Sequence, residues 1–87
     1  MEARALVAWN LRRLRVARGQ SQEALALDAG VDRTYISRLE RRRENPTIGL
    51  LEQIAGVLGI HIGEFFVEPA DGDNPPRPLR GGRRGKQ

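Results

Sequence analysis

The stretch Ser21–Glu40, SQEALALDAGVDRTYISRLE, decides how this chain folds. Leu25, Ala26 and Ala29 fall at i, i+1 and i+4, which places three apolar side chains on one helical face. Ser21 precedes them as an N-cap, its hydroxyl able to accept from an otherwise orphan backbone N–H. Gly30 can take the left-handed conformation that ends a helix and turns the chain sharply. Val31 returns to the core, Asp32 caps a second helix, and Ile36 and Leu39 give that helix its buried stripe. Arg33, Thr34, Ser37 and Arg38 are left on the outer face, with Tyr35 on the flank. A short helix presenting only hydrogen-bonding and cationic groups suits the major groove of DNA, where base edges offer donors and acceptors.

Upstream, Met1 to Gly19 reads as one amphipathic helix ending at a glycine. Val7, Leu11, Leu14 and Ala17 or Arg18 follow the i, i+4, i+7 pattern of a core-facing stripe. Trp9 is expected on the opposite side with Ala5 and Arg13. There it is either covered by neighbouring side chains or the C-terminal tail, or it forms a subunit contact, since tryptophan is enriched at interfaces. Gln20 stands where an apolar residue would staple the entry to the next helix, so a looser corner is expected there.

Downstream, Pro46 interrupts any continuous helix after Arg41-Arg42-Arg43-Glu44-Asn45 and biases Asn45 toward extended geometry. Thr47 then caps a helix whose apolar positions are Ile48, Leu51, Ile54, Ala55 and Leu58. Gly49 and Gly56 each weaken it by roughly 1 kcal/mol against alanine. Gly59 ends it, and Ile60, Ile62, Phe65 and Phe66 form a last short apolar turn. The expected fold is all-α: five helices, four of them short, over residues 1–67. Residues 68–87 turn to proline, glycine and charge, with one leucine, and are expected to form a flexible tail. Pro75-Pro76-Arg77-Pro78 resembles a polyproline ligand, although such strings are common by chance. The terminal GGRRGKQ reads as a solvated tail or as a basic arm adding phosphate affinity.

Composition excludes several classes. Eighty-seven residues without cysteine allow no disulfide framework, thiolate nucleophile or thiolate metal site. His61 is the one histidine, which leaves no pair for metal or acid–base work. It reads as a plain helix-start residue. Asp28, Asp32 and Glu40 are scattered, with no histidine or cysteine partner, so no nucleophile–base pair is on offer. No cofactor and no small-molecule ligand are expected. No apolar run approaches membrane-spanning length and no signal-peptide core is present, so a soluble cytoplasmic protein is the expectation. The net charge is +4; residues 1–67 hold ten arginines against eight acids, and residues 68–87 hold five basic residues against three acids. Local arginine clusters in a modest excess fit nucleic acid better than an acidic small molecule.

These features together resemble the Cro/repressor-type helix-turn-helix family, also called the XRE family. The carrying residues are Leu11-Arg12-Arg13-Leu14-Arg15, Arg18-Gly19, Ser21-Gln22-Glu23, Ala29-Gly30-Val31, Tyr35-Ile36-Ser37-Arg38-Leu39-Glu40, Asn45-Pro46-Thr47 and Ala55-x-x-Leu58-Gly59. They cover about three-quarters of the chain at the family's own spacings. The resemblance implies a compact five-helix domain that binds double-stranded DNA as a transcriptional regulator. By that resemblance Arg33, Thr34, Ser37 and Arg38 contact base edges, and Gln22 grips the DNA backbone. Tyr35 on the flank, with Arg41, Arg42 and Arg43 beyond the helix end, falls to phosphate contacts. Arg15 and Glu40 match an ion pair tying the first helix to the third.

Three positions depart from the family. Arg42 stands where relatives usually carry glycine, and must adopt a positive φ or close the turn differently. Gly49 replaces a frequent acidic residue, and His61 replaces a small capping hydroxyl. One recognition helix covers only a few base pairs, so a symmetric operator bound by a homodimer is expected. Relatives commonly dimerise through the fourth and fifth helices, which makes Ile62, Phe65, Phe66 and Val57 the favoured interface and Trp9 the alternative. Small stand-alone relatives include restriction–modification controllers and antitoxins. The rival class is an antitoxin or other protein-interaction module with weak DNA binding.

Overall fold

A computed structural model describes residues 1–70. Four α-helices follow one another: α1 Ala3–Ala17, α2 Gln22–Ala29, α3 Arg33–Glu40 and α4 Ile48–Leu58. A five-residue 3-10 helix, Ile62–Phe66, closes the core. The described residues are thus all-helical, with four α-helices rather than five. The expected fifth helix is a single 3-10 turn because its span is too short for the i→i+4 ladder to propagate. Residues 71–87, most of the expected tail, lie outside the described residues.

Each start signal in the sequence is realised. Ser21 Oγ accepts from Ala24 N at 2.9 Å, Asp32 Oδ1 from Thr34 N at 2.8 Å, and Thr47 Oγ1 from Leu50 N at 3.0 Å. His61 does the capping its usual hydroxyl would do, its Nδ1 accepting from Gly63 N at 3.1 Å.

The four α-helices also end alike. In each, two backbone bonds reach back in the 6→1 and 5→2 pattern of a Schellman turn. Gln20 N–Arg15 O (3.1 Å), Val31 N–Ala26 O (3.0 Å), Arg43 N–Arg38 O (2.9 Å) and Ile60 N–Ala55 O (3.0 Å) are the longer-range bonds. The left-handed residue is Gly19, Gly30 or Gly59 in three of them and Arg42, at φ 63°, in the fourth. The first of the two geometries open to Arg42 is therefore the one adopted.

The core is Leu11, Leu25, Ile36, Leu39, Ile54 and Phe65, all at most 1% exposed, with Val7, Leu51, Ala55, Leu58 and Ala26 and Ala29 of α2 around them. Two expectations need correction. On α1, Ala5 and Ala8 are buried as well as Val7 and Leu11, while Ala17 and Arg18 are exposed. The helix is covered over a wide arc because α3 packs on one side of it and the 3-10 turn on another. On α4, Ile48 is 69% exposed, its first turn projecting past the core that receives Leu51, Ile54 and Leu58.

Polar ties lock the ends. Gln53 donates its amide to the Ala29 carbonyl, joining α4 to α2. Arg18 Nη1 donates to Leu58 O at 2.8 Å, joining α1 to the end of α4. The corner at Gln20 is held by hydrogen bonds instead of an apolar staple: its side-chain amide donates to Asp28 Oδ2 at 2.9 Å, and its backbone carbonyl accepts from Arg15 Nη1 at 2.7 Å.

Candidate nucleic-acid interface

Helix α3 buries only Ile36 and Leu39, and α2 crosses it behind the Gly30 turn. Apart from Glu40, whose carboxylate turns inward to Arg15, the other side chains of α3 face outward or along the flank. Arg33, Thr34 and Arg38 are exposed, and Ser37 and Tyr35 are half-buried. The four expected base-reading side chains therefore share one helical surface. Arg41, Arg42 and Arg43 are exposed immediately past its end, placing three cations beside the helix terminus.

One carboxylate fixes the base of this surface. Glu40 accepts Arg15 Nε on Oε2 at 2.7 Å and Arg15 Nη2 on Oε1 at 3.0 Å. Its Oε1 also accepts Gln22 Nε2 at 3.1 Å. Residues from α1, α2 and α3 thus meet on a single acid. Gln22, expected on the DNA backbone, spends one amide proton here and keeps the rest of its amide for another partner.

Tyr35 has its phenol pushed above the ordinary 10.0, first by burial and then by the nearby Glu44 carboxylate. It stays a neutral hydrogen-bond donor at any physiological pH. Glu44 also holds Arg38, whose Nε donates to Glu44 Oε2 at 2.7 Å. Nothing in the sequence flags that pair, since the residues lie six apart across a helix end and obey no helical spacing.

The interface candidates separate on burial. Phe65 is 0% exposed and belongs to the monomer core, so it is withdrawn as a subunit contact: its ring is already filling the space between α1 and α4. Phe66 is 40% exposed, and Ile62 and Val57 are half-buried. Trp9 is half-buried and lines a cavity of about 320 Å³ with Ala5, Ala8, Arg12 and Arg42. No helix of the described residues is long and apolar enough to cross a membrane.

Two short helices joined by a glycine turn, the second presenting arginines and hydroxyls, define a helix-turn-helix domain. The helix-turn-helix family profile matches residues 11–65. An HTH-type transcriptional regulator of Sinorhizobium fredii, y4dJ, is 41% identical over 71 residues, covering 82% of this chain and 91% of its own. A hypothetical transcription factor of Neisseria meningitidis is 40% identical over 70 residues, and the match spans 80% of this chain but 66% of that protein. The crystal structure of the Neisseria factor superposes with a TM-score of 0.75 at 41% identity, covering 78% of each chain. The restriction-modification controller protein C.Esp1396I, solved as a tetramer on its natural 35 base-pair operator, superposes with a TM-score of 0.69 at 36% identity, over 76% of this chain and 87% of that one. This chain belongs to the Cro/repressor-type (XRE) helix-turn-helix family of DNA-binding regulators.

Proposed function

We propose that this chain is a sequence-specific, double-stranded DNA-binding transcriptional regulator of repressor type, with α3 lying in the major groove. The observation that carries the proposal is the outward face of α3, where Arg33, Thr34 and Arg38 stand exposed together beside the half-buried Ser37. Arginine is the side chain best shaped for guanine O6 and N7, and each bidentate pair discriminates by roughly 1–3 kcal/mol. Gln22, Tyr35, Arg41, Arg42 and Arg43 hold the flanking phosphates, which position the helix without reading sequence. The operator is two-fold symmetric and two copies bind it, because one helix reads too few base pairs to specify a site. The operator-bound tetramer of the controller protein supports that assembly by similarity.

Selection of bound sequences from random duplex DNA tests the proposal directly. The expected outcome is a symmetric consensus with half-sites about 34 Å apart. Arg38→Ala relaxes one base pair per half-site. Arg43→Ala weakens every sequence about equally and lowers the salt slope by roughly one contact. Recovery of unrelated sequences by the unaltered protein would refute sequence-specific recognition.

A further inference from the structure

Arg38 leaves α3 with 46% of its side chain exposed, yet its guanidinium is held on one edge. Nε donates to Glu44 Oε2 at 2.7 Å, and Nη2 donates to the Arg43 carbonyl at 3.3 Å. These two donors lie side by side on the planar group. The remaining edge, Nη1 with the outer Nη2 proton, has no partner among the described residues. It carries two parallel N–H groups, the pattern that guanine O6 and N7 accept.

The chain reaches this geometry through the turn after α3. Arg42 at φ 63° folds the backbone back, so that Arg43 N donates to the Arg38 carbonyl at 2.9 Å. Glu44 is thereby returned beside the residue it grips, and Pro46 keeps the following segment extended. Glu44 is the one acid in the run Arg41-Arg42-Arg43-Glu44. A carboxylate beside a DNA backbone repels phosphates, so on electrostatics alone it weakens binding. Its use lies in fixing a long side chain whose rotamer freedom would otherwise have to be removed on DNA.

We propose that Glu44 is a positioning residue for Arg38, presenting the outer guanidinium edge so that it selects one guanine in each half-site. The assignment rests on the DNA-reading role proposed for α3. An aligned pair of N–H donors meets guanine's two acceptors. It meets a donor at the exocyclic amine of adenine or cytosine, so a fixed edge rejects those bases more sharply than a mobile one.

The test compares the unaltered protein, Glu44→Ala, Glu44→Gln and Arg38→Ala by sequence selection and by titration against duplexes changed one base pair at a time. Glu44→Ala is expected to reduce preference at the base pair identified by Arg38→Ala by about five- to tenfold, and to leave the other positions unchanged. Glu44→Gln keeps an oxygen acceptor and is expected to keep most of that preference. If Glu44→Ala binds all sequences more tightly with the preference intact, Glu44 is only a repulsive charge and the inference is overturned. Equal blurring at every position overturns it too, since that marks a loop defect. A site preference that Arg38→Ala erases and Glu44→Ala spares defeats the inference alone, whereas an unaltered protein with no preference defeats the proposed function itself.

Discussion

Arg15 on α1 and Glu40 at the end of α3 form a two-pronged ion pair, at 2.7 and 3.0 Å, with side chains only 7% and 3% exposed. Burial this deep puts the pair in the regime where losing one partner is far worse than losing both. Glu40→Ala leaves a buried guanidinium and an unpaired Gln22 amide, and costs roughly 3–5 kcal/mol. That is comparable with the whole stability of a domain of this size. Urea melts should find each single variant close to unfolded and the double variant Arg15→Met with Glu40→Leu partly recovered. Strict additivity of the two losses would show that the side chains do not couple.

Asn10 is a second buried polar anchor, 1% exposed. Its amide donates to Leu6 O and Phe65 O at 3.0 Å each and to Val67 O at 2.8 Å, while its oxygen accepts Arg13 Nε at 3.1 Å. The 3-10 turn is thereby clasped to α1. Asn10→Leu takes the donor from the Phe65 and Val67 carbonyls, at about 1–3 kcal/mol for each group left buried. Asn10→Asp sets a carboxylate against carbonyl oxygens and should melt lower still. Hydrogen exchange should show the loss first at Phe65–Val67. Thermal melts of Asn10→Asp matching the parent would mean the clasp contributes nothing.

Arg42 carries the left-handed turn that glycine carries elsewhere, at φ 63°. A side chain there costs roughly 1–2 kcal/mol, partly offset because glycine is freer in the unfolded chain. Arg42→Gly should therefore raise stability by about 1 kcal/mol while weakening DNA binding, most visibly at low salt. A variant that melts lower than the parent would show that the arginine side chain is held by contacts outweighing its backbone strain.

For the subunit contact, Ile62 and Phe66 beside Val57 compete with Trp9. The closing turn packs on α1 and α4, and the proposed complex reserves the outward face of α3 for DNA. Ile62→Glu places a charge in the favoured surface and should abolish the dimer in light scattering together with cooperative binding to a symmetric site. Trp9→Glu should leave both nearly intact. The reverse pattern moves the interface to α1.

Much of this architecture is legible in the residues. Ser21, Asp32 and Thr47 mark helix starts, and Gly19, Gly30 and Gly59 mark helix ends through short-range chemistry. The arginine-bearing face of α3 follows from the phase of Ile36 and Leu39 alone. What periodicity misses depends on contacts between distant segments. Asn10 is buried because residues 62–67 return over α1, and Ile48, apolar and in phase with the core positions of α4, is left exposed at its first turn. Glu44 escapes for another reason: its partner is reached only once Arg42 has turned the chain. Phe65 and Phe66, adjacent and alike in sequence, divide between the core and the surface, which their composition does not distinguish.

The three elements meeting on Glu40 carry a consequence for the heat of binding. With Gln22 and Arg15 already fixed on that carboxylate, the start of α2 and the whole of α3 face DNA as one rigid body. Within the described residues, little has to fold or order as the complex forms. The heat-capacity change on association should then reflect the contact surface alone, without the larger negative value that accompanies coupled folding.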